Sequence, residues 1–392
     1  MKLDRPALEL ADVIRRHGSR LSGISTDQQR VLRRLAACRT AALGGHVETC
    51  DHCQHQRMAY NSCRNRHCPK CQASACARWM EARAAELLPV EYFHVVFTLP
   101  DVFNRLALGN KRVVYRTLFK AVAQTLLEVA ANPKHLGARI GFLSILHTWG
   151  QNLSLHPHLH CVIPGGGLSP DGSRWIACRP GFFLPVRVLS RVFRGKFIDL
   201  LRRASAKGQL RGIPDAAAFE ALADSAVRHD WVVYAKRPFG GPDTVLKYLS
   251  RYTHKIAISN RRLLAMDDQS VTFRWKDYAH GNRPSTMTLD AGEFLRRFLM
   301  HVVPRGFTRI RHFGFLANRH RSRNLKRCRQ LLNPDHDAQA DELSQAVQAA
   351  DPPVEHDHHD ECPACHLGRM IVGHRIEPRP TLQLLHAWWD TS

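Results

Sequence analysis

Hydrophobic and polar positions divide the chain into segments of different period. Residues 1 to 43 carry two helical patterns, and the second opens at Ser25 with Gln28 three positions on, a capping-box spacing, before ending at Gly44-Gly45. A short helix through Trp79 and Glu86 leads to Pro89, after which Tyr92 to Pro100 reads as a buried strand. From Asp101 to about Ala131 the period is helical. Strand-like runs follow at Ile140 to Leu146 and at Leu159 to Ile163, the latter closed by Pro164-Gly165-Gly166-Gly167. Residues 185 to 228 read as basic helices and Trp231 to Ala235 as strand. Pro242 can start a helix containing Tyr248 and Tyr252. Ile256 to Ser259 and Val271 to Trp275 read as strands around an Asp267-Asp268-Gln269 turn, and Asp290 is placed to cap a helix through Phe294 and Phe298. After Leu332 the composition shifts to Asp, Gln, Ala and Pro, so Asp335 to Glu361 reads as a weak helix followed by linker. Strand, helix, strand, loop, strand predicts an α+β fold with Leu159 to Ile163 on an inner strand.

Charge narrows the partners. The 392 residues, 44% of them hydrophobic, can build two or three domains, while 57 Lys and Arg against 34 Asp and Glu give a formal charge of +23. Basic residues spread along the whole chain favour a polyanion, most often nucleic acid. No stretch of eighteen apolar residues is present, and Met1 to Arg5 lacks a signal core, so an intracellular protein without a membrane span is expected. Twelve cysteines in such a chain point to metal or free thiols rather than disulfides. There is no GxxxxGK[ST] loop, so no ATP requirement is expected.

Cys50-x-x-Cys53 and Cys68-x-x-Cys71 have fourteen residues between them, a separation that lets four thiolates close one tetrahedral zinc site. Cys63, His67 and Cys76 can enlarge that site, supply a second, or fill space. Structural zinc would let a stretch poor in large aliphatic residues fold. Cys362, Cys365 and His366 form half of another site, with His356, His358, His359 or His374 available to complete it.

Three imidazoles fall within His156-Pro157-His158-Leu159-His160. On a strand, His158 and His160 emerge on one face about 7 Å apart, close enough to share a divalent cation. His156, ahead of Pro157, is a secondary candidate. Tyr248 and Tyr252, four apart on a helix, share a face with Lys255, and Lys247 and Arg251 flank it. Amphipathic packing explains such a pair by itself, but beside a metal it acquires a use. A phenol with a pKa near 10 attacks a phosphodiester only when charge on the phosphate is neutralised. The phosphotyrosine ester formed conserves bond energy, so a strand can be resealed without ATP. Arg309 and Arg311, then Arg319, Arg321 and Arg323, form the densest basic run. With His312, Phe313 and Phe315 among them, they suit a groove in which rings stack on bases of a single strand.

His158-Leu159-His160 resembles the histidine-hydrophobe-histidine signature of HUH nucleases, and Tyr248 with Tyr252 is similar to the paired tyrosines of the rolling-circle insertion-sequence transposases in that group. The resemblance extends to a zinc module at Cys50 to Cys71 and to Tyr60 to Cys71, His156 to Gly167 and Tyr248 to Asn260, covering residues 10 to 320. It implies an HUH-nuclease antiparallel sheet with flanking helices, preceded by a small zinc-binding module and a helical lead-in. It also implies magnesium or manganese, completed by a third polar ligand for which Gln151 and His156 are candidates, and cleavage of single-stranded DNA through a 5′-phosphotyrosyl intermediate during transposition. The organisation expected is a lead-in over 1–45, a zinc-binding and DNA-contacting module over 46–88, the nuclease over 89–327 and a tail over 328–392, in a bacterial, nucleoid-associated protein. A replication initiator of the same chemistry, a non-catalytic zinc-containing DNA-binding regulator, and a metallohydrolase built on His156, His158 and His160 are the alternatives.

Overall fold

In chain order the elements are α1 (Leu10–His17), α2 (Thr26–Ala36), β1 (Gly45–Cys50), β2 (Gln56–Tyr60), α3 (Pro69–Ala84), β3 (Tyr92–Thr98), α4 (Asn104–Gly109) and α5 (Lys111–Ala131). Next come β4 (Gly141–Trp149), β5 (Leu155–Pro164), β6 (Gly166–Leu168), β7 (Trp175–Ala177), α6 (Val186–Ala206), α7 (Ala216–Val227) and β8 (Val233–Phe239). The last are β9 (Leu263–Met266), β10 (Ser270–Asp277), β11 (Arg283–Asp290), α8 (Ala291–Met300), β12 (Ile310–Gly314), α9 (Arg321–Leu332) and β13 (Met370–Ile376). This computed structural model describes residues 8–84, 86–239, 245, 255–277, 281, 283–333 and 361–379. Tyr248, Tyr252, Lys247, Arg251 and residues 335–360 of the expected weak helix and linker lie outside the described residues. Mixed helix and antiparallel sheet, with cysteine clusters in the amino-terminal part, is the fold class expected from the sequence. No described helix is long and apolar enough to cross a membrane.

Two units emerge, one of residues 1–74, 256–302 and 339–392, the other of residues 75–255 and 303–338. The second is built on an antiparallel sheet of order β12-β4-β5-β3-β8, so the histidine strand β5 is central. Register puts Phe93, Val95 and Phe97 opposite Ile163, Cys161 and Leu159. Because strand side chains alternate, these share one face with Phe142 and Leu146, and they join α5, α6 and α7 in the main core. Along α5 the buried Val114, Leu118, Val122, Leu126 and Val129 recur at helical spacing. Full burial of a ring such as Phe97 stabilises by about 2–3 kcal/mol.

The opposite sheet face changes character along its length. At one end Tyr92, Leu143, Ile145 and Val162 form a small apolar cluster with Val245. Further along the same face stand His147, His158 and His160, since Ile145 pairs with His160 and His147 with His158. Pro157 lies within β5 rather than at its start, and its carbonyl accepts a bond from Leu99 N at 2.9 Å. At the edge, β12 ends on Gly314, where φ is +60° and a Cβ would fall 1.8 Å from the Ile140 carbonyl oxygen, so no side chain fits.

In the first unit, α1 and α2 pair through Leu10, Val13, Ile14, Leu32 and Leu35. The Ser25 capping box forms, with Gln28 N donating to Ser25 Oγ at 3.3 Å and Ser25 N to Gln28 Oε1 at 2.9 Å. Asp290 Oδ1 accepts from Glu293 N at 3.0 Å and starts α8 as expected. Residues 256–302, expected within the nuclease, group with this unit. Ile256, Ala257 and Ile258 are buried but not in a strand; the ladder with β10 begins instead at Leu263. A second sheet, of order β13-β1-β2, recruits a strand from the tail.

Candidate active site

His158 and His160 project from β5, and the neighbouring strand contributes His147 beside them. One ring nitrogen from each of the three lies within 4.8 Å of the others, and Nε2 of His158 is 3.1 Å from Nε2 of His160. Two nitrogens bound at right angles to one cation at about 2.1 Å would be separated by about 3 Å, so the spacing fits an octahedral divalent ion. His147 supplies the third imidazole. His156 is not in the cluster, and Gln151 lies on the β4–β5 turn. The carbonyl oxygen of His156, rather than its ring, serves the site by accepting from Nδ1 of His158 at 2.6 Å.

These bonds set tautomers. A carbonyl can only accept, so Nδ1 of His158 carries the proton and Nε2 keeps its lone pair toward His160. Nδ1 of His160 meets Nε2 of buried His94 at 2.8 Å. When that Nδ1 donates to His94, the Nε2 of His160 also keeps its lone pair, the arrangement by which outer partners orient metal-binding imidazoles. Burial, the largest cause, holds His158 at a pKa of about 4 and His94 at about 3, and the positive charge of Lys255 adds to the lowering at His158. Burial likewise takes His160 well below its ordinary value, with His147 adding to it. His158 and His160 are thus neutral near pH 7, the state a ligand requires.

Lys255, the first residue described after the tyrosine segment, is exposed and electrostatically felt by His158 and His160. Val245, three positions before Tyr248 in the sequence, is fully buried on the histidine-bearing face with Leu143, Ile145 and Val162.

The cysteines divide differently from the single site expected. Cys68 and Cys71, at the start of α3, gather with Cys63 and with Cys38, which follows α2: sulphurs are 3.6 Å apart for Cys38–Cys71 and Cys63–Cys71, and 3.5 Å for Cys38–Cys68. Cys50 and Cys53 do not join them but meet Cys362 and Cys365. The reason is topological: Cys50 ends β1 at the hairpin tip while Cys63 lies beyond the far end of β2. His67 and Cys76 belong to neither four-thiol group. Cys38 carried no motif in the sequence, because its nearest cysteine is twelve residues away.

The basic run also separates. Arg311 is half-buried with its guanidinium 4.2 Å from the centre of the Phe119 ring and 5.2 Å from that of Phe307, and it donates to the Thr308 carbonyl. Phe313 stacks on Phe142 at 5.2 Å and Phe315 is buried, so these rings pack the protein rather than wait for bases. Arg321 sits 3.3 Å from Glu86. Arg309 is half-buried, whereas Arg319 and Arg323 are exposed.

Residues 10–99 match the family described as "Transposase zinc-binding domain", of the IS91 type, and residues 141–324 match the family described as "Putative transposase". The chain is 52% identical over 406 aligned positions to "Putative transposase y4qJ" of Sinorhizobium fredii (strain NBRC 101917 / NGR234), covering 99% of this chain and 100% of that protein. It is 30% identical to "Transposase for insertion sequence element IS801" of Pseudomonas savastanoi pv. phaseolicola, over 76% of this chain and 72% of that one. No solved structure matches. A histidine cluster on two neighbouring inner strands, two sets of thiols with zinc spacing, and similarity along almost the whole length agree: the chain belongs to the IS91-type family of transposases.

Proposed function

We propose that this transposase cuts and joins single-stranded DNA by tyrosine attack beside a magnesium or manganese ion held by His147, His158 and His160. The observation that carries the reading is this triad of imidazoles on the face that also buries Val245, three residues from Tyr248. When bound, the ion would neutralise charge on a non-bridging phosphate oxygen and make phosphorus a better electrophile. Lys255 adds a second positive charge for the phosphate, and His94 and the His156 carbonyl fix the ligand rings. The Tyr248 or Tyr252 oxygen attacks phosphorus in line and loses its proton, and the bond to the 3′ oxygen breaks, leaving a 5′-phosphotyrosine and a free 3′-hydroxyl. Attack by a hydroxyl on that ester reverses the chemistry and joins strands. Zinc held by Cys38, Cys63, Cys68 and Cys71 would serve folding, because four thiolates leave no open position for a substrate.

The test is incubation with single-stranded oligonucleotides from the ends of the element and manganese, followed by a denaturing gel. A covalent protein–DNA band is expected, reduced by Tyr248→Phe or Tyr252→Phe and abolished by the pair; a band that survives the double change overturns the assignment.

A further inference from the structure

Cys50, Cys53, Cys362 and Cys365 sit at the two extremes of the chain, yet their four sulphurs lie within 4.8 Å of one another. We infer that they hold a second structural zinc ion, which closes a zinc ribbon whose two halves are 309 and 315 residues apart in sequence and so clasps the carboxy-terminal segment to the amino-terminal module.

The distances are those of a metal tetrathiolate. Cys50 Sγ is 3.8 Å from Cys365 Sγ and Cys53 Sγ is 3.6 Å from Cys362 Sγ. Tetrahedral bonds of about 2.3 Å to zinc set sulphurs about 3.8 Å apart, whereas a disulfide needs about 2.05 Å. Each Cys-x-x-Cys pair is folded as a knuckle whose backbone N–H groups point at sulphur. Cys53 N donates to Cys50 Sγ at 3.4 Å and Gly368 N to Cys365 Sγ at 3.4 Å, bonds that favour thiolate over thiol.

The backbone around the knuckles is made for the union. The first knuckle is the turn of the β1–β2 hairpin, and the second precedes β13, which adds to β1 with Cys50 opposite Met370. Asp51 N donates to the Arg369 carbonyl at 3.0 Å, and Arg369 N donates to Asp51 Oδ1 at 2.7 Å, joining the two turns directly. Apolar packing at this junction is small: Cys50, Cys362 and Met370 are buried with Cys365 against them. A junction with so little hydrophobic area, closing so long a loop, needs a further source of free energy, and a tetrathiolate zinc supplies it. Gly368 is part of the fit, since a Cβ there would fall 2.5 Å from Cys50 Sγ.

Metal analysis of the purified full-length protein tests this. Two zinc ions per chain are expected, one for each four-thiol group; Cys362→Ser with Cys365→Ser should lower the content to one, and Gly368→Val, which removes no ligand, should do the same. In the native protein Cys53, although exposed, should resist N-ethylmaleimide together with Cys362 and Cys365, and all three should become reactive together after chelation. Because this labelling uses the unaltered chain, misfolding of a variant leaves it intact. One zinc per chain that the double serine change does not alter, immediate alkylation of Cys53 and Cys365, or a disulfide between these pairs in an unreduced digest would each overturn the inference. None of these readouts depends on DNA cleavage.

Discussion

At the residue scale, the site depends on a ring that carries no local motif. His147 stands eleven positions before His158 in a segment whose sequence reads as a connection, and only the β4–β5 register brings it opposite. His158 and His160 were legible because alternate positions on one strand share a face. Gln151, though close in sequence, is on the turn. His147→Ala is therefore expected to reduce oligonucleotide adduct at least as much as His158→Ala, while Gln151→Ala and His156→Ala remain within a few-fold of the parent; the gel assay measures all four. His156 tolerates the change because its backbone oxygen does the orienting. His94→Ala removes the partner of His160 and should cost about 10–100-fold in metal affinity or cleavage, read from a manganese titration. Arg311, expected as a DNA contact, has partners within the protein. Held over Phe119 and Phe307, it should cost about 1 kcal/mol of stability when replaced by Ala, measured by urea denaturation.

Among the elements, those with strong periodicity or caps were legible: α2 from its capping box, α8 from Asp290, β3 and β5 from their apolar runs. What misled was alternation without a partner. Ile256 to Ile258 bury their side chains yet have no ladder, since burial selects the pattern and only pairing makes a strand. The zinc spacing misled for a related reason: two knuckles fourteen residues apart can share a metal, but the first is the turn of the β1–β2 hairpin and β2 carries the chain away from it before the second. Two stability measurements address the elements. Asp290→Ala should cost about 1 kcal/mol by leaving the Glu293 N–H uncapped. Gly314→Ala should cost about 2 kcal/mol or more, because the left-handed backbone and the Ile140 carbonyl both oppose a methyl group.

For the whole molecule, the net charge of +23 sets affinity for DNA more than it sets the place of cleavage. Binding to a single-stranded oligonucleotide should weaken log-linearly with salt, with a slope of about 0.7 for each phosphate neutralised. Arg319→Ala with Arg323→Ala, both exposed in the parent, should lower that slope by about 1.4, a change that fluorescence anisotropy across a salt series resolves. Composition made the class of partner legible, but the grouping of residues 256–302 and 361–376 with the amino-terminal unit was not, because it rests on contacts between segments far apart in sequence, α1 with α8 and β1 with β13, which leave no mark in local sequence. The central claim, a tyrosine ester formed beside the histidines, is tested most directly by identifying the modified residue. Trypsin cuts after Lys247, Arg251 and Lys255, placing Tyr248 and Tyr252 in separate peptides. Mass spectrometry of the nuclease-trimmed adduct should find a nucleotide phosphate on one or both of those peptides; a phosphate on any other residue, or no adduct with any terminal sequence, would contradict it.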